Sequence, residues 1–268
     1  MISLIIPTYR NPDYLDICLK SATEQQDNDN EIIVVIDGFI EESKHILDKY
    51  ISKIKILNLG NNQGMQQALN FGVYNASNEK ICIINDDNVL CTGWDTLIEE
   101  QLVEGEVLTI NQIEPTGPSM FNFPEYDFGK NPTEFKYQKF IDYEFQIRNK
   151  NKMTPDGGIF PFAMWKKDYM IVGGFDTLYQ SPFICDWDFF LKLEISGVKF
   201  ERTHKLHFYH FGGKSTKHRD DEKEVSDNFH QGEAVAYQMF EYKWGFKPRN
   251  GLNNSKKPSG IIKGVNYK

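Results

Sequence analysis

The amino-acid sequence predicts an α/β fold: a doubly wound, mainly parallel central sheet flanked by helices, with a less regular lobe after it. Three observations point there. Residues 2–6 (ISLII), 31–36 (EIIVVI), 54–58 (IKILN) and 80–84 (KICII) are short, continuous apolar runs rich in β-branched residues. That is the pattern of strands covered on both faces. Between the runs lie helical periods: Leu15, Cys18, Leu19 and Ala22, and then Met65, Ala68, Leu69, Gly72 and Val73. The resulting β-α-β-α-β-α-β order, joined by right-handed crossovers, makes a parallel sheet. Finally, each run ends in a polar or turn-rich segment: PTYR (7–10), DGF (37–39), NLGNNQG (58–64) and NDDN (85–88). Ligands of such sheets bind beyond the carboxyl ends of the strands, so these four segments share one functional rim.

The elements after residue 104 are less regular. Pro115, Pro118, Pro124 and Pro132 suggest a long ordered loop over 111–132, and an amphipathic helix is expected within 133–150. A strand-like piece at 158–165 (GIFPFAMW) leads through GGFD (173–176) to a helix at 185–197 (CDWDFFLKLEISG). Strands near 198–201 and 205–210 and a helix within 221–241 complete the chain. The expected organisation is a Rossmann-like half over 1–104, a second half of the same domain over 105–242, and a basic, mobile tail over 243–268.

With 268 residues, 40% of them hydrophobic, the chain can bury one large core. Its net charge of −8 argues against nucleic acid as a partner, because phosphate-backbone binding gathers Lys and Arg on one face. There is no apolar run long enough for a transmembrane segment, and MISLIIPTYR meets Pro7 and Arg10 too early for a signal sequence. A cytoplasmic protein is expected, associated with a membrane only through partners. Cys18, Cys82, Cys91 and Cys185 show no paired spacing and read as reduced, buried thiols.

Two acidic clusters carry the chemistry. Asp86 and Asp87 repel each other at a strand end, which is easiest to understand if a divalent cation or a basic group neutralises them, although one alone would simply solvate the loop or cap a helix. Oxygen ligands suit Mg²⁺ or Mn²⁺, whose shell is commonly completed by substrate phosphates. Asp186 and Asp188 open a helical pattern. One of them can be a general base while the other caps, or both can be first-turn residues only. In HKLHFYHFGG, His210 stands at a strand end, on the same face as His204 and opposite His207 by simple alternation. Most aromatics of the second lobe, among them Phe160, Phe162, Trp165 and Tyr179, read as core, whereas Trp187 between the two acids is the one expected to touch ligand.

Taken in order, LIIPTYRNPDYLDICLKSATEQ, EIIVVIDG, NLGNNQGMQQALNFGVYNASNEKICIINDDN, GGFD, DWDFFLKL and HFGGKS resemble the family 2 glycosyltransferases, inverting enzymes with the GT-A nucleotide-diphospho-sugar fold. The resemblance spans about residues 2–215. It implies that Pro7, Thr8 and Arg10 line the nucleotide pocket, that Asp37 contacts the base, and that Asn61 and Gly64 lie near the nucleotide. Asp87 would be the direct ligand of Mn²⁺ or Mg²⁺, with Asp86 nearer the ribose or diphosphate and His210 completing the metal or diphosphate site. Asp186 would be the catalytic base, and Trp187 and Asp188 would meet acceptor or donor. The implied partners are a UDP-, GDP- or dTDP-linked sugar and a hydroxyl of a glycan or glycoconjugate. Two positions depart from the family pattern: Asn85 stands where many members have Asp, and Cys185 where a Glu is usual. These departures keep open an alternative, a catalytically degenerate GT-A module that binds nucleotide or glycan without turnover. A sugar-nucleotide-forming enzyme would need a basic, Gly-rich loop after the first strand, and a dehydrogenase GxGxxG. PTYRNPD is neither.

Overall fold

The computed structural model describes residues 1–115, 126–148, 153–155, 159–179, 181–182, 184–212 and 223–247. The first half alternates strand and helix: β1 (Ile2–Thr8), α1 (Pro12–Glu24), β2 (Glu31–Ile36), α2 (Ile40–Tyr50), β3 (Lys55–Asn58), α3 (Met65–Tyr74) and β4 (Lys80–Ile83). β3, β2, β1 and β4 are parallel neighbours in that order. The continuous apolar runs are explained by burial on both faces. Leu4, Ile6, Val34 and Ile36 join Leu15, Cys18 and Leu19 of α1 in one core, while Ile5, Ile33 and Val35 join Ala68, Leu69 and Val73 of α3 in the other. Gly72 lets α3 approach closely, since a Cβ there would meet the Ile5 side chain at 2.5 Å.

The second half extends the same sheet. It adds β5 (Asn88–Val89), α4 (Trp94–Glu99), β6 (Glu106–Ile113), α5 (Tyr137–Ile147), β7 (Met153–Pro155), β8 (Phe162–Trp165), α6 (Lys166–Ile171), α7 (Cys185–Ile195), β9 (Lys199–His210) and α8 (Lys223–Trp244). Among the described residues the sheet order is β3-β2-β1-β4-β8-β6-β9-β5, with β7 also on β9. β8 is antiparallel to β4 and β6, whereas β6 and β9 are parallel to each other. The carboxyl ends of β6 and β9 therefore point to the same rim as those of β1–β4.

The loop expected over 111–132 begins inside a strand, because β6 carries Asn111 and Gln112 as buried polar residues in mid-sheet. Residues 116–125 of that loop, and 248–268 of the expected tail, lie outside the described residues. The two late strands are one, β9, whose register against β6 shifts between Ile110 and Asn111, so that Thr203 and His207 pair with consecutive residues. This irregularity breaks the simple alternation of the three histidines. The acidic turn is followed by β5 and only later by α4, so neither Asp86 nor Asp87 caps a helix directly. The four cysteines are free and buried, as expected.

Asp188, expected as a ligand contact, is fully buried and engaged within the fold. Its Oδ1 accepts from Trp244 Nε1 at 2.8 Å and Tyr179 Oη at 3.3 Å, and its Oδ2 accepts from Lys243 Nζ at 3.0 Å. Lys243 also donates to Asp176 at 2.7 Å. The carboxylate is thus a clasp fastening α8 to α7. Asp188→Ala should lower unfolding free energy by about 2–3 kcal/mol in urea titration. That is below the roughly 3–5 kcal/mol of breaking a fully buried pair, because a third of the Lys243 side chain reaches solvent. An unchanged midpoint would remove the clasp.

Candidate active site

The site is built from strand ends. β1 delivers Pro7, Thr8 and Tyr9, and β2 delivers Asp37. The turn before α3 delivers Asn62 and Gly64, and the segment after β4 delivers Asn85 and Asp86; together they line one cleft of about 200 Å³, with Pro182 from the approach to α7 also on its wall. Asn62 lines it where Asn61 was expected. Gly38, at φ +88°, is what lets the two loops close: a Cβ there would meet the Asn62 nitrogen at 2.8 Å.

Asp37 is buried and accepts the backbone N–H of Gln63 at 2.6 Å and of Gly64 at 3.0 Å. Burial pushes its carboxyl up and the two amides pull it part of the way back. This carboxylate therefore fixes the loop that forms the opposite wall. Arg10 is not among the residues that line the cleft. Its Nε donates to Glu42 at 2.9 Å and its guanidinium lies 4.8 Å from the Phe39 ring centroid. Arg10 and Phe39 both take positive φ, 49° and 56°, so the turns after β1 and β2 are held in a conformation that L side chains adopt at a cost.

The NDDN segment is a hydrogen-bonded turn. Asn85 N donates to Asn88 Oδ1 at 3.0 Å, and Asn88 N to Asn85 O at 3.3 Å. Asn88 pairs with His210 in the β5–β9 ladder, and Phe211 N donates to Asp87 O at 3.2 Å. Asp86 is buried and accepts from Thr8 Oγ1 at 2.7 Å and Asn11 Nδ2 at 3.0 Å. Even so, burial and then the charge of Asp87 push it up to about 7. Asp87 Oδ1 lies 3.5 Å from His210 Nε2, and His210 Nδ1 lies 2.9 Å from Glu114 Oε1. Burial alone would lower the imidazole's basicity, but the two carboxylates overcome it and raise it to about 10. Glu114, just past β6, was not singled out in the sequence; only the β6–β9 pairing brings it to His210.

Asp186 sits in the first turn of α7, and its Oδ1 accepts the N–H of Trp187 at 2.9 Å. Burial pushes its carboxyl up to about 6, against the pull of backbone N–H groups. Ile184, the residue before α7, has φ +67°, a rare conformation for a β-branched side chain that costs about 1–3 kcal/mol. Cys185 is buried, with Sγ 3.2 Å from Pro182 O, and so packs inward. Gln66 Nε2 donates to Ser181 O at 2.6 Å, tying the approach to α7 onto the start of α3. Trp187 is partly buried against the core on the α3 side. Pro7, Thr8, Asp37, Gly64 and Asp86 are thus gathered in one cleft, Asp87 and His210 form a pair at the same rim, and Asp186 heads the helix reached through Pro182.

The chain matches the family model described as Glycosyl transferase family 2 over residues 3–171. It is 29% identical over 107 residues to Glycosyltransferase GlyG of Streptococcus pneumoniae serotype 4, covering 39% of this chain and 36% of that protein. It is 32% identical over 108 residues to the GalNAc(5)-diNAcBac-PP-undecaprenol beta-1,3-glucosyltransferase of Campylobacter jejuni, covering 39% of this chain and 35% of that protein. The chain spans between about a third and three fifths of the length of such relatives. Among solved structures, S. aureus TarS 1-349 in complex with UDP-GlcNAc superposes with a TM-score of 0.56 at 17% identity, over 98% of this chain and 78% of that one. GalNAc-T7 with UDP, GalNAc and Mn²⁺ superposes with a TM-score of 0.58 at 15% identity, over 98% of this chain and 54% of that one. These likenesses establish the GT-A fold. With well over half of its residues inside the family model, the chain belongs to glycosyl transferase family 2.

Proposed function

We propose that this chain is an inverting glycosyltransferase that moves a sugar from a nucleotide-diphospho-sugar to a hydroxyl of a glycan or glycoconjugate. The observation that carries the reading is the junction of the acidic turn with β9. Two adjacent buried carboxylates and a histidine stand at the rim of a cleft floored by Pro7, Thr8, Asp37 and Gly64. The UDP, UDP-GlcNAc and Mn²⁺ bound in the neighbouring structures support a uridine donor over GDP- or dTDP-linked ones, and a divalent cation.

Among the described residues no three His, Cys, Asp or Glu side chains are grouped to hold a metal. A complete protein cage is therefore not expected, but a shared site fits: Asp87 offers an oxygen and His210 a nitrogen once the cation displaces the Nε2 proton, leaving room for phosphate oxygens. When bound there, Mn²⁺ or Mg²⁺ supplies Lewis acidity to the departing diphosphate.

The protein's own residues do the rest. Asp86, held by Thr8 and Asn11, faces the cleft as an acceptor for ribose or diphosphate groups. Asp186 accepts the proton of the acceptor hydroxyl as that oxygen attacks the anomeric carbon, and one displacement inverts the configuration. A carboxylate near the usual value of about 3.9 would be a poor base for an alcohol. Burial at the head of α7 strengthens this one.

Two outcomes follow. Asp186→Asn should reduce sugar transfer by about 10²–10⁴-fold while UDP affinity, read by calorimetry, stays within a factor of two or three. Retained turnover would exclude Asp186 as the base, whereas absent turnover in the wild type with every donor would favour the degenerate binding module. The base must be ionised to act, so kcat should rise with pH through about 6 and level off above it. A profile flat from about pH 5 to 8 would contradict the assignment.

A further inference from the structure

We propose that Glu114 is a positioning residue that orients the His210 ring toward the Asp87 side of the rim. The inference rests on the cation site proposed above and adds to it a residue outside the ligand set.

The geometry is a line of three groups. Glu114 Oε1 is 2.9 Å from Nδ1 of His210, and Nε2 of the same ring is 3.5 Å from Asp87 Oδ1. Side-chain exposure falls along that line from 22% at Glu114, through 15% at His210, to 2% at Asp87. The arrangement follows from the sheet. β6 and β9 run side by side in parallel, and the pairing of Ile113 with Tyr209 sets the next residue of each, Glu114 and His210, at the same level of the rim.

An imidazole has two distinct nitrogens, and the hydrogen bond made by one decides what the other presents. With Nδ1–H donated to Glu114, the ring cannot rotate without losing a charge-assisted bond. Nε2 is thereby aimed at the Asp87 carboxylate, where an incoming cation would meet it. A carboxylate behind a ligating histidine also makes the ring a stronger donor, and removing such a partner commonly weakens metal binding by about 10–100-fold. The contact belongs to the Glu114 side chain, because its backbone carbonyl is engaged separately, accepting from Tyr126 N at 3.0 Å.

The test is Mn²⁺ affinity of the full chain with UDP present, followed by the electron paramagnetic resonance signal of free Mn²⁺. Glu114→Ala should weaken Mn²⁺ binding by about 10–100-fold. Glu114→Gln should recover most of that loss, since its amide oxygen still accepts from Nδ1–H. In a His210→Ala background the alanine change should add no further loss, as two residues acting through one route are not additive. Glu114→Met, of equal length and with no acceptor, should behave as alanine does and serves if the alanine variant folds poorly. Unchanged affinity in Glu114→Ala and Glu114→Met, or a full additional loss on top of His210→Ala, overturns the inference and leaves the cation site standing. Absence of Mn²⁺ binding in the wild type overturns both.

Discussion

The site depends on one pairing, the short antiparallel ladder between Asn88–Val89 and Tyr209–His210. It closes the acidic turn after β4 onto the end of β9, far along the chain. The side chain of Asn88 holds both partners: its Oδ1 takes the Asn85 N–H, and its Nδ2 reaches Tyr209 O at 3.4 Å. Without the ladder, Asp86 and Asp87 would be a solvated strand end and His210 a terminal residue of an unrelated strand.

The electrostatics of the rim follow from that closure. Closing the turn buries two adjacent carboxylates, and neither burial nor proximity favours charge on both. The protein meets the cost in two ways. Thr8 and Asn11 satisfy the two oxygens of Asp86, while Asp87 is set against the imidazole of His210. What remains is an electron-rich corner beside the cleft lined by Pro7, Thr8, Asp37 and Gly64. The second acidic cluster, at the head of α7, meets burial differently: it pushes the Asp186 carboxyl up to about 6, while Asp188 is satisfied by Tyr179, Lys243 and Trp244.

Much of this was legible in the sequence because it is local. Uninterrupted β-branched runs identified β1–β4, helical spacing identified α1 and α3, and strand ends located Pro7, Thr8, Asp37, Gly64 and Asp86. What was not legible depends on non-local pairing. β6 was obscured by Asn111 and Gln112, polar residues that belong in mid-strand only because the sheet continues on both sides. β5 is too short to leave a period. Glu114 has no motif of its own and gains its role from lying beside β9. The contacts that Asp188 and Arg10 make within the fold were hidden for the same reason. Their partners, Trp244 and Lys243 for one and Glu42 for the other, are set by helix packing and loop geometry that spacing alone does not encode.

In the function proposed above, the paired acids bring a cation and a nucleotide diphosphate together at this rim. The most direct measurement is thermal stabilisation by UDP, compared with GDP and dTDP, in Mn²⁺ or in EDTA, for the wild type and Asp87→Ala. The expected result is a shift with UDP that requires Mn²⁺ and disappears in the variant. A shift of equal size in EDTA, or one that survives Asp87→Ala, would contradict it.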